Sequence, residues 1–132
     1  MLVIKGRGIV EGSCRAKILL IDSYVSFLGD VNPNNGMLFN KYYIGGKILA
    51  IRGSRGSTVG SYILYSLSKK GHAPLGMVSS SRDPVLITGC VISNIPLMIV
   101  NEESFNRLRE HIHGREDIIG FLDTVKGVLV VD

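Results

Sequence analysis

Residues 47 to 71 limit the possible folds more than any other stretch. Lys47-Ile48-Leu49-Ala50-Ile51 reads as a short apolar strand. It runs without a spacer into the turn Arg52-Gly53-Ser54-Arg55-Gly56-Ser57-Thr58. Beyond the turn, Val59, Ile63 and Leu67 recur at i, i+4 and i+8, which is one face of a helix, with Tyr62 flanking the stripe. Lys69-Lys70 supply a cationic last turn and Gly71 a C′ glycine, while Ser57 or Thr58 is the natural N-cap. A strand that breaks directly into a helix belongs to an α/β chain and not to a helical bundle or a sandwich.

The rest of the chain agrees. Residues 2 to 10 and 15 to 21 are short and β-branched with Gly12 between them, and predict two strands joined by a turn. Tyr24 to Leu28 runs into Gly29-Asp30-Val31-Asn32-Pro33-Asn34-Asn35-Gly36, so dense in turn formers that it predicts a long loop. A short Leu75 to Val78 strand follows the helix, then a turn of three serines with Arg82-Asp83-Pro84, and the apolar run Val85 to Ile92. Strands are expected at Leu97 to Val100 and Val128 to Val131, with a helix starting near Glu102 and bearing Phe105 and Leu108. With no repeat, linker or low-complexity tract, residues 1–132 read as one α/β domain: a small barrel-like mixed sheet with two or three covering helices.

Composition narrows the function. The longest obvious apolar runs, Ile18-Leu19-Leu20-Ile21 and Val128-Leu129-Val130-Val131, have four residues, far short of the roughly 18 of a membrane span. Lys5 and Arg7 interrupt the first apolar stretch, so no signal sequence is read and a soluble, cytoplasmic protein without a membrane partner is expected. Cys14 and Cys90 form no C-x-x-C pair, which encodes neither a disulfide framework nor a zinc site, and both read as small buried apolar residues. Residues 1 to 82 hold eleven Lys and Arg against three Asp and Glu, whereas residues 83 to 132 hold four against eight. An anionic ligand should therefore meet the first part. Nucleic acid is disfavoured because a binding face interleaves basic residues with stacking aromatics, and the chain has four Phe, five Tyr and no Trp.

The turn at 52–58 is where chemistry can sit. The start of a helix offers unpaired backbone N–H groups and the positive end of the helix dipole, a ready anion site. Arg52 and Arg55 add guanidinium forks, Gly53 and Gly56 let the backbone approach a ligand, and Ser57 would hold its hydroxyl at the helix mouth. A serine at the end of such a turn is more often a plain N-cap than a catalyst. The segment lacks the lysine of the G-x-x-x-x-G-K-S/T phosphate loop, and Gly6-Arg7-Gly8 is not completed to G-x-G-x-x-G because residue 11 is Glu. Gly53-Ser54-Arg55-Gly56 matches the bare GXXG of an RNA-binding KH domain, but that loop joins two helices and this one follows a strand. His111, His113 and His72 read as solvated helix-end residues, Tyr42-Tyr43 as packing, and Glu102 and Glu103 as complements to a helix dipole.

Ser26-Phe27-Leu28-Gly29 with Pro33 and Gly36, then Arg52 through Tyr62, then Ala73-Pro74, together resemble the small swivel subunit of the aconitase X family over essentially the whole chain. Gly56-Ser57-Thr58-Val59-Gly60-Ser61 is the most specific part of the likeness. The resemblance implies a swivelling β/β/α domain that pairs, as a heterodimer, with a large subunit carrying a 4Fe–4S cluster. It further implies a hydro-lyase that dehydrates (R)-5-phosphomevalonate to trans-anhydromevalonate 5-phosphate in the archaeal mevalonate pathway. The family's proton-accepting serine falls on Ser57, and Arg52, Gly53, Ser54, Arg55, Gly56 and Thr58 would surround a small phosphorylated hydroxy-acid substrate. Asp30 and Asn32 depart from the Gly and Asp expected at those places.

A neutral serine is a poor base at pH 7, so this role requires an alkoxide stabilised by the helix start and nearby guanidinium groups. Two distant cysteines supply no cluster, which calls for a second subunit. The alternatives are the same class of enzyme acting on another hydroxy acid, such as a hydroxyproline, and a noncatalytic module binding anions or RNA.

Overall fold

A computed structural model describes residues 1–132. Eleven strands and four helices follow one another as β1 (Leu2–Lys5), β2 (Arg7–Val10), β3 (Ser13–Val25), α1 (Phe27–Asp30), β4 (Val31–Asn32), β5 (Met37–Leu38), β6 (Tyr42–Tyr43), β7 (Ile48–Ser54), α2 (Gly60–Lys69), β8 (Gly76–Ser79), α3 (Pro84–Ser93), β9 (Leu97–Ile99), α4 (Glu102–Ile112), β10 (Ile119–Asp123) and β11 (Val128–Val131). Eight strands form one mixed sheet in the order β1-β11-β10-β3-β7-β8-β9-β2. β3, β7, β8 and β9 are parallel neighbours, linked by α2 and α3, and the flanking pairs are antiparallel.

The sheet's two edge strands, β1 and β2, are consecutive in the chain. Only Gly6 separates them, so the sheet must curl until its edges meet, which gives the expected barrel-like form. Residues 2 to 10 are thus two strands serving opposite edges, and not the single strand expected from their β-branched composition. Gly6 permits the break: its N–H donates to the Gly127 carbonyl at 2.9 Å, and a Cβ there would lie 2.5 Å from the Ile99 carbonyl oxygen.

Strand β7 is buried on both faces, as a central parallel strand must be. Leu49 and Ile51 join the core under α2 and α3, with Leu64, Leu67, Leu86 and Met77. Ile48 and Ala50 face the other core, with Phe105 and Leu108 of α4. The stretch expected to be a long loop instead folds on itself: Val31–Asn32 pairs with Met37–Leu38, and β6 completes a small three-stranded sheet. The Asn32 carbonyl closes its tight turn by accepting from Gly36 N–H at 2.8 Å. The apolar run at 85–92 is the body of α3, with Asp83 as N-cap and Pro84 in its first turn.

Candidate active site

In a parallel sheet, ligands bind beyond the carboxyl ends of the strands. That edge carries four connections here: Ser26 leading to α1, residues 55–59 leading to α2, residues 80–83 leading to α3, and Asn101 leading to α4. The turn singled out from the sequence is the second of these. It is shorter than expected, because β7 continues through Arg52 and Gly53 to Ser54, paired in parallel with Tyr24 and Val25 of β3.

Arg52 and Arg55 do not meet. Arg52 lies on the α4 face of β7, where Nε donates to Asp22 Oδ1 (2.6 Å), Nη2 donates to Asn106 Oδ1 (2.9 Å), Nη1 pairs with Glu102, and the guanidinium stacks 4.3 Å from the Phe105 ring centre. Every nitrogen of its fork is engaged within the domain. Ser54 is likewise occupied, its backbone N–H and hydroxyl both donating to the Asp83 carboxylate at 3.0 and 2.6 Å. Gly53 is needed for close approach, since a Cβ would fall 2.6 Å from the Ser81 Cβ.

The remaining residues form the open part of the turn. Arg55 N–H donates to the Val25 carbonyl, and its exposed side chain reaches Asp30 at 3.2 Å. Gly56 sits at φ +89°, where a side chain would be strained and would press within 3.0 Å of Ser26 Oγ. The N–H groups of Gly56, Ser57 and Thr58 have no partner inside the protein. Ser57 is exposed, and its Oγ accepts from the Val59 N–H at 3.1 Å. Helix α2 itself starts only at Gly60, with Val59 as N-cap and no side-chain cap. Neither Ser57 nor Thr58 is therefore the N-cap expected, because a tight turn closed by Gly60 N–H to the Ser57 carbonyl comes first. The turn just before α2 thus carries three free N–H donors, an exposed serine and an exposed arginine, a set of groups suited to an anion.

Beside this turn a cleft of about 370 Å³ runs between α2 and α3, lined by Thr58, Ser61, Tyr62, Val85 and Ile92 among others. Thr58 lines this cleft, whereas Ser57, the residue before it, does not.

The domain's own residues do not fit an iron–sulfur cluster. Cys14 and Cys90 are both free; burial pushes the Cys14 thiol up to about 11, and burial reinforced by the Asp83 charge pushes Cys90 up to about 12. Cluster ligands are thiolates. Nor do three His, Cys, Asp or Glu side chains gather anywhere in the domain. His111 contacts the Asp132 carbonyl and Arg115, and His72 Nδ1 bonds the Tyr43 hydroxyl at 2.9 Å. No helix is long and apolar enough to cross a membrane.

Sequence reasoning missed the acids that hold the site together: Asp22 on Arg52, Asp30 on Ser26 and Arg55, and Asp83 on Ser54. Only Asp83 had a local signal, an Asp-Pro pair ahead of an apolar run, which is the start signature of a helix.

The aconitase X swivel domain, as a family, matches residues 3–117. A protein of Aeropyrum pernix named the small subunit of phosphomevalonate dehydratase is 38% identical over 127 residues, covering 91% of this chain and 96% of that one. Its namesake from Methanosarcina acetivorans is 34% identical over 134 residues, covering 93% and 91%. The crystal structure of Thermococcus kodakaraensis aconitase X in its holo-form superposes with a TM-score of 0.86 at 28% identity, covering 100% of this chain and 99% of that chain. With the family matched over most of its length and the same fold throughout, the chain belongs to the aconitase X swivel-domain family.

Proposed function

We propose that the chain is the small subunit of a two-chain, cytoplasmic dehydratase that converts (R)-5-phosphomevalonate to trans-anhydromevalonate 5-phosphate, with Ser57 accepting the proton. The reading is supported by relatives of that name aligned over nine-tenths of the chain. It is carried by one observation: Ser57 is exposed in a turn at the mouth of α2 whose Gly56, Ser57 and Thr58 N–H groups have no partner within the domain.

This chain's part is binding and proton transfer. The N–H groups of Gly56, Ser57 and Thr58, together with Arg55, form a cradle that receives a carboxylate or phosphate oxygen of the substrate. The same donors favour the alkoxide of Ser57, since positive charge and hydrogen bonds to an anion lower its pKa. The alkoxide takes a proton from the carbon next to the substrate carboxylate, and the electron pair left behind forms the double bond as hydroxide departs from the adjacent carbon. Departure of the hydroxide falls to the large subunit, which in this reading also holds the 4Fe–4S cluster. Arg52, Gly53 and Ser54 act behind the cradle, holding the end of β7 that presents it.

The test is Ser57→Ala in the assembled complex. Turnover should fall by about 10²–10⁴-fold, the usual worth of a positioned base, with assembly and melting temperature close to wild type. A variant that loses stability but keeps turnover would return Ser57 to a structural role. Assaying 5-phosphomevalonate against a hydroxyproline in the same complex fixes the substrate class.

A further inference from the structure

Both ends of the Ser57 turn are fastened to one short stretch at the start of α3. Before the turn, Ser54 N–H donates to Asp83 Oδ2 (3.0 Å) and Ser54 Oγ–H donates to Asp83 Oδ1 (2.6 Å). After it, the Ser61 hydroxyl donates to the Val85 carbonyl (2.9 Å). The β7–β8 ladder ends at Ile51 and Ser79, so beyond that point no backbone pairing to β8 restrains β7. Asp83 replaces it.

The carboxylate exceeds what capping needs. One oxygen, Oδ1, accepts the Leu86 N–H (2.8 Å) and satisfies the helix start. The other, Oδ2, is spent wholly on Ser54 of a different element. A serine in place of Asp83 would cap α3 equally well and could not hold both Ser54 groups.

We infer that Asp83 is a positioning residue for the reaction: it fixes Ser54, and through it the placement of Ser57 three residues on. The inference rests on the proposed role of Ser57.

The experiment uses the two-subunit complex with Asp83→Ser, which keeps the cap, Asp83→Asn, which turns an amide N–H₂ toward Ser54 N–H, and Asp83→Glu as the conservative change. Displacement of a reacting group by about 1 Å costs up to ~10²-fold, so kcat should fall about 10- to 100-fold in Asp83→Ser and Asp83→Asn, with KM within about threefold of wild type. Asp83→Glu should recover part of kcat. Amide exchange at Ser54 and Arg55 should speed up about tenfold, the rate equivalent of one lost hydrogen bond, with β3 unchanged. Wild-type kcat in Asp83→Ser, or a loss of kcat matched by a loss of melting temperature with unchanged exchange at 54 and 55, overturns the inference. Ser57→Ala measured alongside separates the two ideas: an active Ser57→Ala enzyme defeats the proposed base, whereas an inactive one beside a fully active Asp83→Ser enzyme defeats only the positioning role.

Discussion

Arg55 reaches across the carboxyl edge of the sheet to Asp30, Nη2 to Oδ2 at 3.2 Å, and the same carboxylate oxygen accepts the Ser26 backbone N–H at 2.8 Å. Ser26 Oγ in turn accepts the Gly29 N–H, so α1 begins in a reciprocal cap that also holds an arginine at the mouth of α2. The two partners differ in exposure: the Arg55 side chain is 59% exposed and that of Asp30 is 16%.

That difference separates their mutants. An exposed ion pair is worth about 0–1 kcal/mol, so Arg55→Ala should barely move the melting temperature while raising KM for the phosphorylated substrate, by about tenfold for each 1.4 kcal/mol of lost contact. Asp30→Ala strands the Ser26 N–H and should cost about 1–3 kcal/mol of stability. Thermal melts and steady-state kinetics on the two complexes check both, and an Arg55→Ala enzyme with unchanged KM would remove Arg55 from the cradle.

Arg52 should behave in the opposite way. Its guanidinium joins Asp22, Glu102 and Asn106 and stacks on Phe105, tying β7 to α4 and β3. Arg52→Met should therefore lower the urea midpoint by an amount equivalent to about 1–3 kcal/mol, and Arg52→Lys should recover little of it, because an ammonium does not reproduce the fork. A KM effect without a stability effect would instead place Arg52 on substrate.

These contrasts mark what could be read from the chain. The existence of α2 and its glycine stop were legible because they are local, but its buried face is not the expected Val59, Ile63 and Leu67 stripe: Val59 precedes the helix and is exposed, and Gly60, Ser61, Leu64 and Leu67 are the buried residues. Gly71 takes φ +77°, and its N–H and that of His72 return to the Ser68 and Leu67 carbonyls. Asn101, accepting the Ser104 N–H, starts α4 within one residue of expectation. The end of β7 was not legible, because Gly53 and Ser54 become strand only through pairing with Tyr24 and Val25. Strand β10 was missed because Gly120 interrupts its apolar pattern, although Ile18 fills the space, 2.6 Å from where its Cβ would stand. The partners of Arg52 lie 30, 50 and 54 positions away in sequence, beyond any local pattern.

Gly56 offers a test of the turn's shape. Gly56→Ala forces a side chain into φ +89° and toward Ser26 Oγ at 3.0 Å, at a cost of about 1–3 kcal/mol. Gly46 is the control: it has φ +70° but nothing within 4 Å of its Cβ position, and it lies outside the turn. Both variants should lose stability in urea titrations, and only Gly56→Ala should also lose turnover. Equal turnover in the two would mean that the backbone at 56 does not set the cradle.

The buried thiol of Cys90 makes stability fall in alkali. Its pKa is pushed from 9.0 to about 12, first by burial on the core face of α3 and then by the Asp83 charge. Between those values the unfolded chain has released the proton and the folded chain still holds it, so the folded state binds more protons and stability drops as pH rises. Below pH 9 both states are protonated and the group contributes no pH dependence. Urea unfolding from pH 8 to 11 should therefore show a loss approaching 1.4 kcal/mol per pH unit from this thiol above 9, and Cys90→Ala should flatten the slope whatever it does to the absolute value. The folded thiol should also resist alkylation at pH 8, because the reactive thiolate is suppressed and the sulfur is fully covered, packed 3.8 Å from the Met77 sulfur. Rapid labelling of Cys90 in the native complex would mean that α3 opens, and with it the start of the helix where Asp83 holds Ser54.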